Sequence, residues 1–202
     1  MAKKKKKITY NFAPNALFKG GESTELNACV GSNGGPYDLI DYGKGFFDGA
    51  QEIIKAVRNG AFYVDVLVYP VCFSFRHGIE LYLKALVKSS ITFNGSDRVY
   101  GKNHSIDEYW KMIVEEFEKF DDRVIDKSEI ATVTPIINDF VQIDPTGQVF
   151  RYPEDIAGNA HLDGLGLINL DVLSEGMTVL HALLENWYYR IEGILEYRRD
   201  GF

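Results

Sequence analysis

The chain has little of what builds a disulfide-stapled or metal-held fold. Its 202 residues include only 2 cysteines and 4 histidines. Cys29 and Cys72 have no paired spacing, which argues against a disulfide scaffold or zinc ribbon and fits two structural thiols in a reducing compartment. His77, His104, His161 and His181 show no His-x-x-x-His spacing, so no metal site is expected. No apolar run reaches the ~18 residues of a membrane span, and no apolar segment follows the positive charges of the N-terminus. These gaps lead to the expectation of a soluble, cytoplasmic protein with no cofactor and no membrane partner. The chain also lacks a Gly-x-x-x-x-Gly-Lys-Ser/Thr loop and a strand-bound Gly-x-Gly-x-x-Gly, which argues against P-loop NTPases and dinucleotide enzymes. Ser74 near His77 has neither an acid nor a nucleophile elbow to make a triad.

Positive charge is scarce as well. Against 29 acidic residues stand 22 basic ones, for a net charge of −7. Five of those basic residues form the run Lys3 to Lys7, so the rest of the chain carries 17 basic residues and a charge of −12. An acidic body disfavours broad, nonspecific binding to nucleic-acid backbones and leaves room only for a local basic pocket. The lysine run reads as a solvated tail or as an arm for nucleic acid or an acidic partner.

What is present is apolar and aromatic. Hydrophobic residues make up 46% of the chain, with 13 phenylalanines, 12 tyrosines and 2 tryptophans, enough for one sizeable core. Residues 1–35 hold Pro14, Gly20-Gly21 and the Gly31 to Gly35 cluster with little periodicity, and read as an extended arm. From 36 to 202 helical periodicity dominates. It predicts a helix over 37–58 ended by Asn59-Gly60, and a kinked or broken helix over about 63–88, where Phe62 to Tyr69 has strand propensity and Pro70 interrupts. A third helix should run from Ser105 to about Phe120, with Ser105 and Glu108 as a capping box. A fourth is expected over 128–143, with Pro135 as a kink point. Asp144 to Gly166 forms a long irregular connection, and a last helix spans 169–199.

One feature asks for a chemical reason. Arg76, Glu80 and Lys84 recur every four residues beside Phe75, Ile79, Leu83 and Leu86, so a helix stacks three charges at the edge of its apolar face. Burying such charges is costly without partners. They read either as an ordinary ladder of ion pairs or as part of a site with His104 and with Arg151 and Tyr152 of the long connection. In the second reading Arg76 and Arg151 bind a phosphate while His104 shuttles a proton. In the first, Glu80 bridges Arg76 and Lys84, His104 helps cap the following helix, and Arg151 and Tyr152 anchor the connection.

The helix Arg76-His77-Gly78-Ile79-Glu80-Leu81-Tyr82-Leu83-Lys84-Ala85-Leu86, followed by His104, Ile106 and Trp110, resembles the HEPN superfamily of helical-bundle proteins. Asp144 to Pro153 is similar to a stretch before the last helix in an uncharacterised bacterial branch of it. The resemblance covers about residues 36–200. It implies an all-α, up-and-down bundle of about five helices, often a homodimer. Better-known members are metal-independent RNA-cleaving toxins and phage-defence effectors, or helper subunits of nucleotidyltransferases. Their catalytic motif is an Arg, four to six intervening residues and a His, and only Arg98 to His104 fits it here, although that pair falls in a Gly/Asn-rich connection. On this basis His104, Arg98 and Arg76 are the expected catalytic residues, with RNA or a nucleotide as ligand. The alternative is a noncatalytic module that binds a nucleotide or a partner protein encoded nearby.

Overall fold

The computed structural model describes residues 15–60, 63–99, 101 and 103–201, so the lysine run lies outside the described residues. The chain divides into two compact units, up to Tyr37 and from Asp38 onward. In the first, residues 15–34 are exposed and nearly irregular, with one short 3-10 turn at Thr24–Leu26. The Asn27 side chain closes a loop there by bonding both the N–H and the carbonyl of Gly21.

The second unit is all-α: α1 Leu39–Arg58, α2 Val64–Asn94, α3 Ile106–Phe117, α4 Lys127–Ile143 and α5 Leu170–Arg199. Polar residues start them. Asp38 and Asp41 form a reciprocal capping box on α1, and Asp126 and Asn169 accept from the first-turn N–H groups of α4 and α5. The box expected on α3 is half formed. Ser105 Oγ accepts from Glu108 N–H, but Ser105 N–H is taken by the Asn103 side chain, and Asn103 also holds the Glu108 carboxylate.

Of the kink or break expected in α2, the break does not occur. Pro70 sits inside a helix that continues to Asn94, six residues past its expected end. Burial of apolar residues from Val71 onward outweighs both the proline and the strand propensity of the segment before it. Gly95, at φ 60, then stops the helix, its N–H and that of Ser96 closing on Thr92 and Ile91 carbonyls in a Schellman pattern.

Each helix packs on its successor, α5 returns to α1, and α2 also touches α5, so α2 runs through the middle of the ring. It is therefore buried on nearly all sides, including every residue from Gly78 to Leu83. Around it lie Phe47, Ile54, Ile113, Val133, Leu180, Leu184 and Trp187. Two glycines set the spacing of α1 and α2. A Cβ on Gly43 would come within 2.8 Å of the Tyr82 ring, and one on Gly78 within 2.8 Å of the Phe47 ring. The contact position falls to Gly43, and its neighbour Tyr42 is 58% exposed.

The connection from Asp144 to Asn169 holds only one isolated bridge, Glu154 with Ala160. Asp144 ties its start into a turn by accepting from Gln148 and Val149 N–H, and buried Phe150 anchors the turn in the bundle.

Candidate functional site

Because α2 is central, its charged stripe is not a surface ladder. Arg76 is 1% exposed and Glu80 3%. Arg76 spends its donors on three different segments: Nε on the Asp144 carbonyl at 3.0 Å, Nη2 on the His104 carbonyl at 2.7 Å, and Nη1 on Glu80 Oε2 at 3.3 Å. Gly147 makes this possible. It adopts the left-handed φ 75 that the turn after Asp144 requires, and the turn passes over the guanidinium with room for a Cβ at ordinary contact distance, 3.7 Å from Arg76 Nη2. The start of the long connection and the segment before α3 are thus both held against α2 by one side chain.

Glu80 is the second junction. Besides Arg76, its carboxylate accepts from Lys84 Nζ at 2.5 Å and lies 2.8 Å from His104 Nδ1. Burial alone would raise the Glu80 carboxyl, but hydrogen bonds from Lys84 and His104, with their charges, hold it below the usual 4.5. An ionised carboxylate only accepts, so Nδ1 of His104 carries the hydrogen of this contact and Nε2 is the nitrogen left to exchange a proton. The His104 side chain is 70% exposed, so that nitrogen is open to a ligand. Burial lowers the Arg76 guanidinium from its usual range, opposed by the charges of Asp144 and Glu80.

These groups line a cavity of about 260 Å³ with Phe73, His77, Thr146, Gly147, Gln148 and Arg151. The structure therefore brings together Arg76, Glu80, His104 and Arg151, with Lys84 behind Glu80. Among the described residues Arg151 makes no ion pair; its guanidinium lies over the rings of Phe73 and Tyr152, at 5.7 and 5.4 Å from their centroids. It is the cation of the site without an acidic partner among the described residues, whereas Arg76 is held by three hydrogen bonds. Tyr152 supports Arg151 from outside the cavity lining.

Arg98 is placed elsewhere. It pairs with Glu115 and with buried Glu116 near the end of α3, where Asn94 and Lys119 also hold Glu116. His104 precedes the start of α3, so the two side chains serve opposite ends of a helix roughly 18 Å long. Within one chain, then, Arg98 and His104 are not brought together. The bridging of Arg76 and Lys84 by Glu80 is present, but the α3 cap is Ser105, and His104 contributes a carbonyl to Arg76 instead.

Phe73, His77, Gly147 and Gln148 were not legible as site residues. Phe73 and His77 flank Arg76 on α2 at helical spacing, and the Asp144-x-x-Gly147 turn carries a signal for a tight fold-back; neither says what it packs on. Among the described residues no group of three or more His, Cys, Asp or Glu is placed to hold a metal ion, and no helix is long and apolar enough to cross a membrane. Comparison with protein-family models, with curated proteins and with solved structures found no match to this chain.

Proposed function

We propose that the chain is a HEPN-like, metal-independent RNA-cleaving protein of the toxin or phage-defence kind, with His104 as its proton-transfer group. The observation that carries this reading is the exposed His104 ring anchored through Nδ1 on buried Glu80, facing a cavity that holds the unpaired cation Arg151. A carboxylate behind an imidazole fixes its tautomer and stabilises the imidazolium formed when it takes a proton. In the proposed reaction Nε2 removes the proton of an RNA 2′-hydroxyl. The 2′-oxygen then bonds to the adjacent phosphorus, the bond from phosphorus to the 5′-oxygen breaks, and that oxygen leaves with a proton from water, whose hydroxide takes back the proton held by the His104 imidazolium. Arg151 neutralises the charge gathering on the phosphoryl oxygens, a role suited to a planar guanidinium. Arg76 keeps His104 and the Gly147 turn in register. A homodimer, as the resemblance implies, would present two such sites.

The test is incubation of purified protein with labelled total RNA and transfer RNA in the presence of a chelator. Wild type should cut and His104→Ala should lose cleavage by about 10²-fold or more while keeping its helical content and melting behaviour. Absence of cleavage by wild type at any oligomeric state removes this reading.

A second reading rests on a different surface. Between α4, α5 and the long connection lies an apolar groove of about 400 Å³ lined by Ile136, Phe140, Phe150, Leu167, Val172 and Met177 among others. Leu167 is 94% exposed and Val172 70%, which favours a partner-binding module encoded beside its partner. In that case Leu167→Asp should abolish co-purification of the partner and His104→Ala should not.

A further inference from the structure

Part of the cavity lining is aromatic. Phe73 and His77, one turn apart on α2, hold their rings within 4° of parallel with centroids 5.9 Å apart. His77 is pinned edge-on against Phe46 at 4.5 Å. Burial lowers the His77 pKa, so the ring stays neutral and offers an aromatic face rather than a charge. The Arg151 guanidinium covers the Phe73 ring. On the rim, Gln148 spends its backbone N–H on Asp144 and its carbonyl on Arg151 and Tyr152, while its carboxamide makes no hydrogen bond among the described residues.

We propose that this wall is a subsite for a single unstacked nucleobase, adenine, stacked on Phe73 and His77 and read at its edge by the Gln148 carboxamide. This inference deepens the proposed RNA cleavage by naming what sits beside the reacting phosphate. Parallel aromatic faces next to a guanidinium are the surfaces on which single-stranded bases stack. A carboxamide offers one donor and one acceptor side by side, and adenine presents their complements at N6 and N7. The cavity, at about 260 Å³, admits one nucleotide unit rather than a dinucleotide cofactor. Arg151, exposed and without an acidic partner, has only to lift off Phe73 for the base to slide beneath it. Its charge then stays within reach of the phosphate.

The experiment uses the full chain and three probes: adenosine monophosphate, uridine monophosphate and ribose 5-phosphate. Binding is followed by fluorescence in a Phe73→Trp variant and by calorimetry in wild type. The native Trp110 and Trp187 are 4% and 0% exposed, so the introduced indole is the one a base can quench. Adenosine monophosphate should bind about tenfold more tightly than ribose 5-phosphate, in line with the strength of base stacking on an aromatic. It should also quench the indole. Phe73→Leu should remove that advantage, and Gln148→Ala should equalise the two nucleotides. Equal binding of all three probes, or binding unaltered by Phe73→Leu, overturns the subsite. The two readings fail separately. RNA cutting without preference for nucleotide over ribose phosphate sinks the subsite alone. A Phe73-dependent adenine preference without cutting supports the subsite and sinks the cleavage.

Discussion

Glu80 carries more of the site than any other residue, because three cationic or proton-bearing groups converge on its two oxygens. Taken away, it leaves buried Arg76 with no side-chain ion pair, only the nearby Asp144 charge and two backbone carbonyls to offset its own. A broken pair of this kind costs ~3–5 kcal/mol, so Glu80→Ala should lower the midpoint of urea unfolding by a corresponding amount. The sign of its pH dependence follows from its depressed pKa. Ionised Glu80 stabilises the fold fully above 4.5, the value of the unfolded chain, and that contribution is lost as pH falls through the lower value of the folded state. Unfolding of wild type and Glu80→Gln, followed from pH 7 down to pH 3, should show the gap in stability narrowing as pH falls below about 4.5. A gap that stays constant over the whole range means Glu80 is not held ionised by Lys84 and His104.

At the scale of the element, α2 dictates the architecture, and its tightest constraint is a residue without a side chain. Gly78 lets the Phe47 ring of α1 come up against the helix backbone, and the neighbouring His77 and Arg76 line the cavity. Gly78→Ala should cost ~1–3 kcal/mol by overpacking in thermal unfolding, despite the better helix propensity of alanine. The five helices were legible in the sequence because each repeats apolar residues at helical spacing, and the starts of α3 and α5 fell within one residue of Ser105 and Asn169. Both ends of α2 were less so. Its first turns carry Val64, Val66, Val68 and Tyr69, whose preference for strands is overruled only by the neighbours they meet, and its last turns continue because Ser89 bonds Glu192 of α5 across the bundle. Periodicity along one segment holds no record of such partners. The stripe Arg76, Glu80, Lys84 was visible for the same reason as the helices, namely spacing. That it joins His104 and the Gly147 turn, and that Arg98 does not, depends on which loop folds over which face.

For the molecule as a whole, charge is distributed against broad nucleic-acid binding. Outside the lysine run there are 17 basic residues against 29 acidic ones, and several of the cations are already paired, as Arg98, Arg123 and Arg190 are. If RNA is the ligand, most of its salt-sensitive affinity should reside in Lys3 to Lys7. Deleting residues 1–7 should flatten the dependence of RNA affinity on salt by up to ~0.7 per lysine lost, measured by filter binding across a salt series, while the cleavage rate at saturating RNA is kept. An unchanged slope places the phosphate contacts on the bundle. The Arg76 junction has its own consequence at this scale. A single guanidinium joins the bundle to two connections that lie 28 and 68 residues away in the chain, so it works as a conjunction: the acid–base pair is assembled only when both connections are home. Everything after Tyr152 in the long connection stands outside that condition. Leu165, Leu167 and Ile168 line the apolar groove and no residue from 153 to 169 lines the His104 cavity, so substitutions there can recast one surface while the lining of the other keeps its side chains.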